Sequence, residues 1–168
     1  MPEAWLRGSI DGIDAFLQPA AHALVQARED LGRTAANISP TTLWKQPNGA
    51  ASLGFHLRHI GGSLDRLLTY ARGAQLDDRQ HAALRSETEP GTSPPDAATL
   101  VKQAQDAIDA ALAQLRATRR DELLEPRAVG RAGLPSTVLG LLFHAAEHTT
   151  RHVGQAITTA KLVAGDGR

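Results

Sequence analysis

The segment from residue 144 to residue 155 reads HAAEHTTRHVGQ, with a histidine at every fourth position. Because four residues turn an α-helix about 40° beyond a full turn, His148 and His152 share one helix face, one turn apart. Two imidazoles in this arrangement can ligate one metal ion, and they can equally form a solvated face. A third imidazole from a facing helix would complete an open site suited to Zn²⁺ or Ni²⁺. Thr149 follows His148 where a zincin has glutamate, so the pattern does not predict a metalloprotease.

The helix around this segment has two apolar faces. One consists of Leu139, Phe143, Ala146, Val153 and Ile157, and the other adds Leu141, Ala145 and Ala156 to the two histidines. A helix with two buried faces is either central in a bundle or shared with a partner. The pattern therefore predicts that one face packs inside the protein and that the other contributes to a homodimer.

Three further helices are predicted from periodic leucine and alanine, at about 13–36, 51–72 and 96–118, before the last helix, which runs from residue 136 or 137 to about 163. Pro19 either starts or kinks the first of them, and Asn37 to Pro40 is a stop signal. The connections 74–95 and 119–135 are rich in proline and glycine, which is typical of loops. With 4% aromatic residues and little β-branched clustering, the prediction is an all-α chain. Its four helices would form one four-helix bundle with long crossover connections, a single domain over residues 1–168.

Composition excludes several classes of function. The 168 residues include no cysteine, which rules out disulfides, zinc–thiolate sites and a cysteine nucleophile. Basic and acidic residues number 18 each, so no charge excess predicts binding to nucleic acid or an anionic membrane. Glu3, Arg7 and Asp11 interrupt the place of a signal peptide, and no apolar run reaches the length of a membrane span. We expect a soluble, cytoplasmic protein.

Two motifs together resemble a known family, the DinB/YfiT-like superfamily. Residues 52–60, SLGFHLRHI, with Asp65 and a leucine pair downstream, resemble its second helix, and residues 144–155 resemble its last helix. Trp44 followed by residues 47–49, PNG, resembles the loop that leads into the second helix. The resemblance covers about residues 17–162.

This resemblance implies an up-down-down-up four-helix bundle with a divalent metal, nickel or zinc, bound by His59, His148 and His152. Family members of assigned chemistry are transferases or isomerases that use a low-molecular-weight thiol. Apart from the resemblance, an open metal site is also expected to support metal-assisted hydrolysis. The partner would then be a small-molecule substrate, and dimers are common in the family. The alternative is a non-catalytic metal-binding or stress-response protein with a structural or vestigial site. All three ligand positions are filled here, which favours a competent site.

Three other residues are candidates for the surroundings of the metal. His56 would either contact a metal ligand or the substrate, or be a half-buried histidine at the bundle edge. Gln155 would reach the pocket or bond to a neighbouring helix, and Trp44 would line the pocket mouth or fill the core. An acidic substrate would be bound by one of three arginines, Arg58, Arg66 or Arg151.

Overall fold

Six α-helices and two β-strands lie within residues 1–34 and 38–165, the part of the chain that this computed structural model describes. They are α1 (Gln18–Gly32), α2 (Pro40–Leu43), α3 (Leu53–Ala71), α4 (Asp78–Ser86), α5 (Ala97–Ala117), β1 (Pro126–Val129), β2 (Leu134–Thr137) and α6 (Val138–Gly165). The protein is thus mostly helical, and α1, α3, α5 and α6 are its long helices. Within the described residues no helix is both long and apolar enough to cross a membrane.

Capping residues set where the long helices begin. The Ser52 hydroxyl accepts a hydrogen bond from the Phe55 N–H at 3.1 Å and starts α3. Asp96 starts α5 in the same way, accepting from the Thr99 N–H at 2.7 Å. These side chains satisfy backbone N–H groups that have no partner in the first helical turn. The bounds of α3, α5 and α6 agree with the sequence prediction to within two residues.

The first helix differs from its prediction. It begins at Gln18 rather than Ile13, because Pro19 occupies its first turn, where a residue without an N–H is tolerated. Of the two roles open to Pro19, the structure shows the helix start. Residues 15–17 form a separate 3₁₀ turn capped by Asp14. The predicted end at Ala36 and Asn37 of the stop signal lie outside the described residues.

Both long connections contain structure that the sequence analysis did not predict. Strands β1 and β2 form an antiparallel hairpin that pairs Pro126 with Thr137 and Val129 with Leu134, so the chain is not purely α-helical. Gly130 and Gly133 turn the hairpin with φ of 68° and 62°, a region open to glycine because it has no Cβ. The other connection contains α4.

One continuous apolar core joins the long helices. Helix α3 packs against α5 and α6, and α1 packs against the same two helices. Fully buried leucine and isoleucine side chains fill the space between them, including Leu24, Leu64, Ile108 and Leu142. Each such side chain contributes about 1.5–3 kcal/mol through removal from water. The extent of the domain over residues 1–168 stays a prediction.

Helix α6 buries most of both predicted apolar faces. Ala146 and Val153 of one face and Leu141, Ala145 and Ala156 of the other are at most 3% exposed. Leu139 and Ile157 are partly buried, and 59% of Phe143 is exposed. Phe143 borders an open groove between α1 and α6 that Pro19 and Ala23 also line.

Candidate metal centre

Helices α3 and α6 face each other, and each brings histidines to their contact. On α6, His148 and His152 lie one turn apart with ring centroids separated by 4.5 Å. Thr149, between them in sequence, is fully buried and donates its hydroxyl to the Ala145 carbonyl at 2.8 Å. The histidine side of α6 is therefore pressed towards the protein interior, and both imidazoles are half-buried.

His59 of α3 meets this pair from the opposite side. Its Nε2 lies 2.9 Å from Nε2 of His148, and its ring centroid lies 4.4 Å from that of His152. One ring nitrogen of each of the three histidines falls within 4.8 Å of the others. Phe55 stacks on His59 at 5.1 Å between centroids. The residues for which the resemblance implied a metal are thus brought together.

A buried carboxylate completes the surroundings of His59. Oε2 of Glu87 lies 2.7 Å from Nδ1 of His59, and its Oε1 accepts a hydrogen bond from Nη1 of Arg66 at 2.6 Å. Glu87 follows the last residue of α4 and is 4% exposed. Sequence reasoning missed it, because a single glutamate in a connection taken for a loop carries no periodic signal.

Burial lowers the pKa of three imidazoles in this cluster, those of His152, His148 and His56. It lowers the pKa of His152 to about 4, with neighbouring His59 and His148 contributing in the same direction. Burial and His59 also lower the pKa of His148 and of His56. For Glu87 burial acts to raise the pKa, but hydrogen bonds from His59 and Arg66 outweigh it and lower the pKa. Neutral imidazole is the form that binds metal ions.

The donor set fits a divalent cation. Two neutral imidazoles that face each other through Nε2 need either one shared hydrogen or one shared cation. Nδ1 of His148 is buried and has no hydrogen-bond partner among the described residues, so the contact that holds this ring by a polar atom is the one at its Nε2. Three nitrogen ligands without thiolate or carboxylate suit Zn²⁺, Ni²⁺ or a similar ion, and they leave a position open.

The structure also places the three residues that were predicted to surround the metal. His56 is buried, and its Nδ1 lies 3.2 Å from Nδ1 of His152, so it does contact a triad histidine. Gln155 is exposed and lines an open groove together with His56 and Arg151. Trp44 lies flat against Gly54, with the Arg58 guanidinium 4.6 Å from its ring centroid.

Of the three arginines considered for an acidic substrate, two are engaged elsewhere. Arg66 is buried in its ion pair with Glu87. Arg58 donates to the Ser86 and Pro90 carbonyls at 3.3 and 3.1 Å. Arg151 hydrogen-bonds to Glu147 at 3.1 Å but remains exposed beside the His56 groove. Of these three arginines, Arg151 is the exposed one.

The chain is also similar to a known protein family. The model of the DinB superfamily matches residues 23–156, a span that includes His59, His148 and His152. No curated protein matches the chain.

Proposed function

The chain belongs to the DinB superfamily, and on that premise we propose that it binds one divalent metal ion, nickel or zinc, and uses it in a transferase or isomerase reaction with a low-molecular-weight thiol. The four long helices would form the four-helix bundle of this family, with the segments 74–95 and 119–135 as its crossover connections. The observation that carries the proposal is the convergence of three imidazoles from α3 and α6, with one nitrogen of each within 4.8 Å of the others.

His59, His148 and His152 would hold the ion. A divalent cation at this position stabilises the anionic form of a thiol or of water near neutral pH. The chain has no cysteine, so a thiol reactant comes from solution. The low pKa of His152 keeps its imidazole deprotonated and available as a ligand at neutral pH.

The groove beside His56 would receive the substrate. It is open to solvent, has a volume of about 480 Å³, and is lined by His56, Arg151 and Gln155 on its polar side. The guanidinium of Arg151 offers a donor for an acidic group of the substrate. His56, in contact with His152, would orient the reactant next to the triad.

A non-catalytic metal-binding or stress-response role is the second candidate. The observation in its favour is the use of Arg58 and Arg66 in internal contacts, which leaves Arg151 as the one member of that trio for substrate. Under this proposal the ion would bind, but no thiol would approach it.

We also propose a homodimer through the exposed part of α6. Phe143 and the groove beside it leave an apolar surface uncovered, and such surfaces often mark interaction sites. A cytoplasmic location, where low-molecular-weight thiols abound, stays a prediction.

Cobalt titration separates the two functional candidates. The metal-free protein is loaded with Co²⁺, and visible absorption is recorded before and after the addition of a small thiol such as cysteine or 2-mercaptoethanol. A thiol-dependent reaction predicts a Co²⁺ spectrum in the wild type that changes on thiol addition. The variant His152→Ala should lose this spectrum and His144→Ala, one turn away and exposed, should keep it. A spectrum that no thiol alters would favour the non-catalytic role.

A further inference from the structure

Glu87 is a buried charged residue that is not part of the apolar core. Taking a carboxylate out of water is costly unless it is paired and hydrogen-bonded. Glu87 meets this condition with two partners, Arg66 at Oε1 and His59 at Oε2. One of these partners is a histidine of the triad.

The backbone on both sides of Glu87 is fastened to α3. Arg58 donates to the carbonyls of Ser86, Glu89 and Pro90, and its guanidinium lies over the Trp44 ring. These contacts hold residues 86–90 across the helix that carries His59. The carboxylate therefore reaches His59 from a segment fixed independently of its own hydrogen bonds.

Gly62 makes room for the carboxylate. A Cβ at this position would overlap Oε1 of Glu87 and lie 2.8 Å from Nη1 of Arg66. Both side chains pass over the bare backbone of α3 at this point. The close approach of Glu87 to α3 thus depends on a residue without a side chain.

The hydrogen-bond pattern fixes the tautomer of His59. An ionised carboxylate only accepts hydrogen bonds, so the atom that faces it, Nδ1 of His59, carries the hydrogen. Whenever the ring carries only this one hydrogen, its Nε2 atom has a free lone pair that points towards His148. Arg66 holds the other carboxylate oxygen, so Glu87 cannot turn away from His59.

We propose that Glu87 is a positioning residue that holds His59 as the Nδ1–H tautomer, so that its Nε2 lone pair is presented to the metal ion. The inference rests on the proposed metal-binding function. In this arrangement Arg66 orients the carboxylate of Glu87. Gly62, which has no side chain, leaves the space that the carboxylate occupies. Removal of a residue that hydrogen-bonds to a metal ligand commonly weakens metal binding by about 10–100-fold.

The substitution Glu87→Gln tests the proposal without changing the shape of the side chain. Glutamine has a single oxygen, and the Arg66 guanidinium, which only donates, will take it. The amide NH₂ then faces Nδ1 of His59 and donates to it. This drives the hydrogen of His59 to Nε2, where it blocks the lone pair.

Two readouts report the result. Nitrogen-15 NMR of the metal-free protein at fixed pH identifies which ring nitrogen of His59 carries hydrogen. Competition with a chelator gives the affinity for Ni²⁺. We expect the Nδ1–H form in the wild type, the Nε2–H form in Glu87→Gln, and a 10–100-fold loss of Ni²⁺ affinity in the variant.

The matched control is Glu147→Gln, which removes an exposed carboxylate that pairs with Arg151 near His148. We expect it to change the Ni²⁺ affinity by less than about threefold, as for other surface charges. A Glu87→Gln protein with the wild-type tautomer and affinity would overturn the proposal, and so would a wild type in the Nε2–H form. A wild type that takes up no Ni²⁺ would instead overturn the proposed function, and the NMR result would still report separately on how Glu87 orients His59.

A double variant guards against failure to fold, since Glu87→Gln leaves Arg66 as a buried charge with a weaker partner. Arg66→Met with Glu87→Leu removes both charges, a kind of replacement that is often neutral or stabilising. The protein should then melt near the wild-type temperature, with His59 in both tautomers and Ni²⁺ affinity 10–100-fold lower. A stable double variant with unchanged affinity would overturn the proposal.

Discussion

Nε2 of His59, on α3, lies 2.9 Å from Nε2 of His148, on α6, although 89 residues separate them in sequence. Two imidazole nitrogens come this close only if they share a hydrogen or a cation. Glu87 accepts at the opposite edge of the His59 ring, and His152 stands beside both rings. We therefore expect the chemistry of the protein to take place where α3 and α6 meet at these histidines.

Metal binding should stabilise the protein without being required for folding. Ni²⁺ at about 100 times its Kd is expected to raise the free energy of unfolding by about 2.7 kcal/mol, measured by thermal or urea unfolding, and His152→Ala should abolish this gain. A chelator should return the wild type to its metal-free stability with the fold intact, because fully buried leucine and isoleucine side chains already fill the space between the long helices. Unfolding on chelation would instead indicate a structural ion.

Two adjacent glycines of α3 should respond in opposite ways to alanine. Gly62→Ala places a Cβ against Glu87 and Arg66, so we expect lower thermal stability and weaker Ni²⁺ binding. Gly61→Ala is the control, since its Cβ would come no nearer than 3.9 Å to any atom beyond the neighbouring backbone of its own helix. Helix propensity then favours alanine by roughly 0.5–1 kcal/mol. Equal behaviour of the two variants would contradict the role given to Gly62.

Acid should destabilise the metal-free protein over a defined range. The pKa of His152 is about 4 in the folded protein and 6.5 ordinarily. Between these values the unfolded chain binds a proton that the folded chain does not, so stability falls as the pH falls. His148 and His56 act in the same direction. Urea unfolding at several pH values between 7 and 5 should show this decline, with a smaller slope in His152→Gln. A free energy of unfolding that stays constant, or that rises as the pH is lowered from 7 to 5, would contradict the lowered pKa values of these histidines.

The proposed homodimer should depend on Phe143. Its substitution by glutamate places a charge on the exposed apolar surface of α6, and sedimentation velocity should then show a monomer of 17.8 kDa where the wild type sediments at twice that mass. Leu84→Glu, at a comparably exposed position on α4, is the control and should remain dimeric. A monomeric wild type would exclude the dimer, and a dimeric Phe143→Glu would exclude this surface.

The sequence predicted what local periodicity controls. His148 and His152 lie on one face because the helix repeats every 3.6 residues. The pairing of this face with His59 could not follow from spacing, since a contact between α3 and α6 depends on how the helices pack. It was implied only through the family resemblance.

The structural features that the sequence did not predict either lack a periodic pattern or carry a local signal that was overlooked. Strands β1 and β2 have four residues each and contain prolines, too little for an alternating pattern. Helix α4 does have a signal, the capping box of Asp77 and Gln80. Glu87 has none, because its importance comes from the tertiary position of the chain just after that helix.

Metal content measured by elemental analysis tests the central claim most directly. The protein is purified without a histidine tag or added metal, beside His59→Ala, His148→Ala and His152→Ala, with His144→Ala as the control from the same helix. We predict about one equivalent of nickel, zinc or a similar divalent ion in the wild type and in the control, and its loss in each of the three triad variants. A wild type that contains no metal, and takes up none when nickel or zinc is added, would contradict the account.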